Sequence, residues 1–176
     1  MNAESEEMFR DFAQARIGPL RALAYVTCGD WQTAEDAVSG ALARLYLRWD
    51  KVSSPDAYAR KAVVRAAIGE KRRPWHRERA VDAAFLDTPI PDRSGDIDER
   101  LRMRAALQHV PPRQRAALVL RFLEGLSVDE TAEILGCSPG TVKSQTSRGL
   151  DTLRAVLAAE ITERGQDRVV SHRGRA

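Results

Sequence analysis

Cysteine and histidine are scarce in this 176-residue sequence, which contains two cysteines and three histidines. Cys28 and Cys137 lie far apart and form no CxxC or Cys/His spacing, so neither a disulfide framework nor a zinc site is predicted. Paired carboxylates, a nucleophile beside a base and a glycine-rich phosphate loop are also missing. We therefore expect no catalytic residues, no metal and no cofactor, and the protein is not expected to be an enzyme.

Long apolar runs are missing as well, since none approaches the roughly 18 residues that a membrane-spanning helix requires. The opening residues, MNAESEEMFRDF, are acidic and lack the basic and apolar regions of a signal peptide. We expect a cytoplasmic protein that is not exported and does not bind a membrane.

Alternating strand patterns are hard to find, because apolar residues recur at intervals of three and four along most of the chain. This spacing predicts an all-α protein. The first three helices are expected at 6–28, 31–49 and 56–72, the first being interrupted at Gly18-Pro19 because proline lacks a backbone N–H. The second helix carries the clearest apolar stripe, which consists of Ala34, Val38, Leu42, Leu45 and Trp49.

Residues 77–98 break this periodicity with prolines, a glycine and many aspartates, which indicates a flexible acidic linker. Helical pattern resumes after the linker and weakens again near the C-terminus. We therefore expect two small helical domains joined by the linker and followed by a disordered tail. The predicted ranges of first domain, linker, second domain and tail are 6–77, 78–97, 98–158 and 159–176.

Positive charge is concentrated in one segment. The whole chain has a formal net charge of +3, whereas residues 60–79 alone hold eight cations against Glu70 and Glu78. Such a segment attracts phosphates, and each phosphate contact makes binding more dependent on salt. Nearby Trp49, Tyr58 and Trp75 offer faces on which a base could stack. For Trp49 and Tyr58 the alternative, favoured by the apolar stripes, is a core position.

Residues 127–150 contain the signals of two short helices. Ser127 and Glu130 fit a capping box, in which the serine hydroxyl and the glutamate carboxylate each bind a backbone amide at the helix start. Gly136 supplies the left-handed residue that ends a helix. A first short helix is therefore predicted at 128–135.

Ser138 and Pro139 are suited to begin the next helix only three residues later, which predicts a helix-turn-helix. In that arrangement the start of the second helix meets base edges in the major groove, where short polar and cationic side chains bind bases and phosphates. An ordinary helical hairpin with a solvated polar face is the alternative. The candidate DNA-binding residues are Ser138, Thr141, Lys143, Ser144, Gln145, Ser147 and Arg148.

Two long segments resemble one known family. The segment VPPRQRAALVLRFLEGLSVDETAEILGCSPGTVKSQTSRGLDTLR resembles region 4 of the extracytoplasmic-function (ECF) sigma factors, in particular the SigE-like subgroup. The segment CGDWQTAEDAVSGALARLYLRWDKVSSPDAYARKAVV is similar to region 2 of the same family. The resemblance implies a subunit that binds core RNA polymerase and promoter DNA and helps to melt the DNA. Relatives are commonly held by an anti-sigma factor, which is therefore a further expected partner.

The resemblance also implies roles for single residues. The helix-turn-helix residues named above would bind the minus-35 element of the promoter. Core polymerase would bind Asp36, Arg44 and Arg48. The minus-10 element would be bound by Ser53, Ser54, Arg60, Lys61, Arg65, Lys71, Arg72 and Arg73.

Four positions depart from the family pattern. Ser39 and Gly40 stand where many members have Gln and Glu, and Arg65 and Gly69 stand where Asn and Asp are frequent. Gly40 is expected to weaken its helix by about 1 kcal/mol relative to alanine. Because these positions fall on the expected polymerase and minus-10 surfaces, promoter preference is not carried over from relatives.

Two other functions are compatible with the same residues. A stand-alone helix-turn-helix regulator would bind an operator as a dimer, tightly and without polymerase. A helical adaptor would use its basic surface to bind a protein, and substitution of Lys143 or Arg148 would then leave transcription unchanged.

Overall fold

The computed structural model describes the backbone of residues 2–70 and 94–173, and the side chains of residues 2–69 and 99–162. Every regular element in these ranges is helical, which confirms the predicted all-α class for this part of the chain. None of the helices found there combines the length and the apolar composition needed to cross a membrane. Within the same residues, no three His, Cys, Asp or Glu side chains are grouped so that they could hold a metal ion.

The first helical unit contains three helices: α1 (Ala3–Cys28), α2 (Trp31–Tyr46) and α3 (Pro55–Glu70). Side-chain caps define the starts of the first two, because Asn2 accepts a hydrogen bond from the Ser5 amide and Asp30 accepts one from the Thr33 amide. α1 ends at Gly29, which adopts the left-handed conformation with φ 80°. The three helices pack on one another around a common apolar core.

That first core combines the inner faces of all three helices with aromatic rings at one end. Trp49, in a short 3₁₀ turn after α2, contacts the rings of Phe9 and Phe12 with centroid separations of 5.3 and 5.4 Å. Tyr58 also packs against the core. The buried members are Leu20, Ala24, Cys28, Ala34, Ala37, Val38, Ala41, Leu45, Ala59, Val63 and Ala67.

The second helical unit contains α4 (Ser94–Gln108), α5 (Pro112–Leu118), a π-helical segment (Val119–Leu123), α6 (Val128–Leu135) and α7 (Pro139–Arg173). Its helix-turn-helix forms as predicted. Both hydrogen bonds of the capping box between Ser127 and Glu130 are present, and Gly136 ends α6 in the left-handed conformation with φ 64°. α7 then begins at Pro139.

The two units share their second apolar core. Leu23 and Val26 of α1 and Val64 of α3 join the cluster formed by the second unit. Val64 is completely buried there. The first and second units therefore pack directly against each other in this structure, which the apolar stripes did not predict. The second unit contributes Leu107, Val110, Ala116, Leu118, Val119, Leu120 and Ile134.

Two predicted features of the first unit are wrong. α1 continues through Gly18-Pro19 without an end. Both residues lie on the exposed face, where water can bind the carbonyl group that the proline leaves without a helical donor. The second helix ends at Tyr46, three residues before the predicted end, because the chain turns so that Leu47 is 80% exposed and Trp49 returns to the core.

The ends of the second unit also differ from the prediction. α4 begins at Ser94, within the segment assigned to the linker, and α7 continues to Arg173, through most of the predicted disordered tail. Residues 159–173 contain no proline and include the helix formers Glu160, Glu163, Arg164 and Arg168, and the isolated Gly165 does not end the helix. Residues 71–93, which contain most of the predicted acidic linker, lie outside the described part of the chain.

Candidate nucleic-acid interface

The start of α7 is fixed by a local hydrogen-bond network. The Thr141 amide donates to the Ser138 hydroxyl over 3.1 Å, and the two side-chain oxygens are 2.9 Å apart. The Ser144 hydroxyl donates to the Thr141 carbonyl at 3.0 Å. Ser138 thus caps the helix as predicted, and its hydroxyl is largely committed to that role.

Beyond this cap, the predicted minus-35 residues lie on the first three turns of α7. Lys143, Ser147 and Arg148 are exposed, and Gln145 is half-buried. Neither Lys143 nor Arg148 forms a side-chain hydrogen bond or ion pair with another residue of the described chain. Two cations on the first three turns of α7 are therefore free to bind a ligand beside short polar side chains.

A glycine sets the position of this helix on the second unit. Gly149 is buried where α7 crosses α5, and a Cβ atom placed on it would lie 3.1 Å from Leu118 Cγ and 3.3 Å from Gln114 Cβ. Such separations are tighter than ordinary packing, so the two helices approach closely at this point. The close contact supports the start of α7 from behind while its polar face stays in solvent.

Three of the predicted minus-10 cations lie on α3, and each has a partner in the second unit. Arg60 Nε is 3.1 Å from Glu124 Oε2, and Lys61 Nζ is 2.6 Å from Glu133 Oε1. The Arg65 guanidinium donates to two backbone carbonyls at the end of α6. In this conformation the three cations therefore bind groups of their own chain.

The remaining minus-10 candidates are divided between the described and undescribed residues. Ser53 and Ser54 are exposed in the turn before α3 and line a cleft of about 440 Å³ that reaches α6. Lys71, Arg72 and Arg73 lie outside the described residues, as does Trp75. Trp49 and Tyr58 pack against the core, so the core alternative is correct for these two rings.

The predicted polymerase residues form a polar face on α2 and the turn after it. Asp36, Arg44 and Arg48 are all exposed. Gly40 lies one helical turn from both Asp36 and Arg44, and a Cβ atom placed on it would lie 3.4 Å from an Arg44 guanidinium nitrogen. The glycine therefore leaves room for Arg44 to lie along the helix, and α2 continues through it unbroken.

Two carboxylates of α6 are held in their charged form. The pKa of Glu133 is lowered from the ordinary value of 4.5, first by its hydrogen bond with Lys61 and then by the charge of Lys61. The pKa of Glu130 is lowered as well, first by a hydrogen bond with the Ser127 side chain and then by one with the Ser127 backbone. Both groups are therefore negative at neutral pH, and Glu133 places that charge against α3.

The capping box permits a test of how α6 is held. Ser127→Ala should lower the free energy of unfolding by about 1 kcal/mol at pH 7, because the Glu130 amide loses its acceptor. A carboxyl with a lowered pKa stabilises the fold above its ordinary value of 4.5 and loses this effect as the pH falls through the lowered pKa. The difference in unfolding free energy between Ser127→Ala and the wild-type chain should therefore be smaller at a pH below 4.5 than at pH 7. Urea unfolding at the two pH values measures this difference. Ser147→Ala, an exposed change inside α7, should cost almost nothing, and an equal cost for both variants would contradict the assignment.

Glu124 and Glu133 were not among the residues that the sequence indicated. Each pairs with a cation more than 60 positions earlier, since Arg60–Glu124 and Lys61–Glu133 join helices of different units. An exposed acid on a helix is ordinarily solvated, so no local pattern distinguishes these two. Only the packing of the second unit on α3 gives them partners, Glu133 from α6 and Glu124 from the end of the π-helical segment.

Comparisons with known proteins identify the family to which the chain is similar. The "Sigma-70, region 4" family model matches residues 100–153, which contain the helix-turn-helix. The RNA polymerase sigma-E factor of Streptomyces coelicolor is 32% identical over 158 residues, covering 86% of each chain. The ECF RNA polymerase sigma factor SigM of Mycobacterium tuberculosis is 30% identical over 145 residues, covering 78% of this chain and 71% of its own.

Solved structures show the same fold. The sigma factor RpoE of Bartonella quintana, in a co-crystal with the anti-sigma factor NepR, matches with a TM-score of 0.64 at 24% identity and covers 85% of this chain and 98% of its own. CnrH in complex with the cytosolic domain of CnrY gives a TM-score of 0.58 at 18% identity, covering 88% of this chain and 90% of its own. The matches to both sequence and fold extend over both helical units. The chain therefore belongs to the ECF RNA polymerase sigma factors.

Proposed function

We propose that this chain binds core RNA polymerase, recognises the minus-35 and minus-10 elements of its promoters and promotes melting of the DNA. The observation that carries the proposal is the pair of exposed cations, Lys143 and Arg148, at the start of the second helix of a helix-turn-helix. Because the chain belongs to the ECF sigma factors, promoter DNA is the expected ligand of this helix.

At the minus-35 element, the start of α7 enters the major groove. Lys143 and Arg148 bind guanine edges or phosphates, and Ser144 and Ser147 let the helix backbone approach the bases closely. Thr141 and Gln145, which are half-buried, contact the edge of the site. Ser138 acts through its cap, which leaves the remaining amides of the first turn directed at a phosphate.

At the minus-10 element, binding depends on cations more than on stacking by core rings. Arg60, Lys61 and Arg65, with Lys71, Arg72 and Arg73, bind phosphates of the separated strand, and Ser53 and Ser54 donate hydrogen bonds beside them. Extrusion of a base costs a few kcal/mol, so contacts made only with the open strand favour melting without ATP. Trp49 and Tyr58 are unsuited to stacking on bases, because both pack against the core.

The polymerase contact is assigned to the exposed face of α2. Asp36, Arg44 and Arg48 present both signs of charge there, as expected for a polar docking surface that selects one partner. Binding through the first unit leaves α7 of the second unit available for DNA.

A further partner is an anti-sigma factor, because the two solved structures with the same fold are both complexes, one of them named as a complex with an anti-sigma factor. The site of action is the cytoplasm, where transcription takes place in bacteria. The chain itself contributes binding surfaces and no catalytic step.

Reconstituted transcription tests the proposal. Core polymerase with chromosomal DNA should initiate at discrete start sites only when the chain is added. The triple variant Asp36→Ala, Arg44→Ala, Arg48→Ala should remove this activity and co-elution with core, whereas Glu7→Ala with Arg10→Ala, an exposed pair on α1, should retain both. Wild-type chain that yields no start sites would refute the proposal. Tight operator binding by a dimer without polymerase would favour the stand-alone regulator instead.

A further inference from the structure

One face of α1 supports the turn between α2 and α3 at two separate points. At the start of the turn, the Ser5 hydroxyl donates to Asp50 Oδ1 over 2.8 Å, and the neighbouring Trp49 ring packs on two phenylalanine rings of α1. Just after the turn, Asp56 binds Arg16. Spacings of four, three and four place the α1 residues involved on one helical face. They are Ser5, Phe9, Phe12 and Arg16.

The Asp56 carboxylate binds two arginines at once. Its Oδ1 accepts a hydrogen bond from Arg16 Nε at 2.6 Å, and its Oδ2 accepts one from Arg60 Nη2, also at 2.6 Å. Asp56 lies in the first turn of α3 and Arg60 lies four residues later, so the helix N-terminus and the spacing both favour this pair. The Arg60 side chain is only 23% exposed, which leaves it fewer orientations than a fully solvated arginine has.

The bond to Asp56 leaves Arg60 able to bind a further anion. A guanidinium carries five N–H donors, and Asp56 accepts from one nitrogen of the group. Nε of the same group lies 3.1 Å from Glu124 Oε2, so a second acceptor can approach while Asp56 stays bound. Asp56, Arg16 and Arg60 all belong to the first unit. Their arrangement therefore requires no residue of the second unit.

We propose that Asp56 is a positioning residue for minus-10 recognition, which holds Arg60 toward the DNA strand while Arg16 fixes Asp56 to α1. This inference rests on the proposed function, which assigns Arg60 to the minus-10 strand. An arginine that is already held in one orientation loses less conformational freedom when it binds a phosphate. Because α1 supports both ends of the turn, it also sets the position of Arg60 relative to the two serines of that turn.

Removal of the Asp56 charge separates positioning from simple electrostatics. A carboxylate repels DNA phosphates, so the loss of its charge alone should tighten binding. Loss of the support for Arg60 should weaken binding instead. The two effects therefore predict changes of opposite sign for Asp56→Asn, which keeps the size and shape of the side chain and removes its charge.

The test uses holoenzyme assembled from core polymerase and the full chain. The probe is a fork-junction DNA with a single-stranded minus-10 element, taken from a promoter at which the wild-type holoenzyme initiates. Asp56→Asn should weaken binding of this probe about fivefold, equivalent to about 1 kcal/mol, and should leave binding of a duplex with the minus-35 element alone unchanged. The matched control, Asp129→Asn, removes an acid from the first turn of α6 and should leave both affinities near the wild-type values.

A double-variant cycle tests whether Asp56 acts through Arg60. In a chain that already carries Arg60→Gln, Asp56→Asn should cause no further loss of affinity for the fork probe, because the side chain that it positions is gone. Arg16→Gln should weaken binding about threefold in the wild-type chain and should likewise cause no further loss beside Arg60→Gln. Its charge-matched control is Arg21→Gln, which removes the ion pair of α1 with Glu35 at 2.7 Å and should stay near the wild-type affinity.

Unchanged or tighter binding of the fork probe by Asp56→Asn would overturn the inference. A loss that persists beside Arg60→Gln, or an equal loss on the minus-35 duplex, would also overturn it, since Asp56 would then act on the fold in general. Failure of the proposed function would differ, because the wild-type holoenzyme itself would then initiate at no promoter.

Discussion

Alanine at both Lys143 and Arg148 should lower transcription from a promoter with an intact minus-35 element by about 100-fold. Each good contact to a base edge contributes about 1–3 kcal/mol, and a tenfold change in affinity corresponds to about 1.4 kcal/mol. Both side chains are exposed and unpaired within the described chain, so their loss should not affect folding. The measurement is reconstituted transcription, with the fold checked by circular dichroism.

Arg154→Ala provides the control for charge. Arg154 is 72% exposed on the same helix, where it pairs with Asp151 at 3.2 Å. It lies 11 residues beyond Lys143, about 16 Å along the axis at 1.5 Å per residue, and so beyond the turns assigned to the major groove. Its loss should change transcription by no more than about twofold, and an effect as large as that of the double variant would show that α7 attracts DNA by charge alone.

Arg115→Ala should lower the free energy of unfolding by about 3 kcal/mol, equivalent to a fall in Tm of about 10 °C. Arg115 has no exposed surface and is among the largest buried side chains of the described residues. Its guanidinium donates to the Leu107 carbonyl and the Gln108 side chain, which ties α5 to the end of α4. Alanine would leave a cavity and unpaired acceptors, as thermal and urea unfolding should show.

The variant Arg115→Met separates packing from charge. Burial lowers the pKa of Arg115, and its Nε and one terminal nitrogen have no protein partner among the described residues. Burial of this charge therefore destabilises the fold. Methionine fills much of the same volume without a charge, so Arg115→Met should recover more than half of the unfolding free energy that Arg115→Ala loses. Arg113→Ala, at an exposed position of the same helix, should change stability by less than about 0.5 kcal/mol. Equal losses for Met and Ala would show that the hydrogen bonds dominate.

The helix-turn-helix was predictable because its signals are local. The Ser127 hydroxyl and the Glu130 carboxylate each bind the backbone amide of the other residue. Gly136 ends α6 through its own left-handed dihedral angles. These features depend on few neighbours, so residue type and spacing were sufficient to define the helices and the outward face of α7.

The shared core and its contacts could not be predicted, because they depend on which faces meet. The position of Leu23 on an apolar stripe indicates burial but does not identify the partner, and Leu23 packs with the second unit. The end of α2 was missed for a similar reason. Leu45 and Trp49 are four residues apart, a spacing that fits either a continued helix or a turn that brings the ring back to Phe9.

The acceptors of Arg65 are peptide oxygens, which every amino acid carries. Divergence of the α6 sequence therefore leaves this bond intact as long as the helix ends at the same point. A change at position 65 to a side chain as short as asparagine would end it at once. One codon in α3 therefore decides whether a descendant of this chain keeps these two hydrogen bonds, whatever the side chains of α6 become.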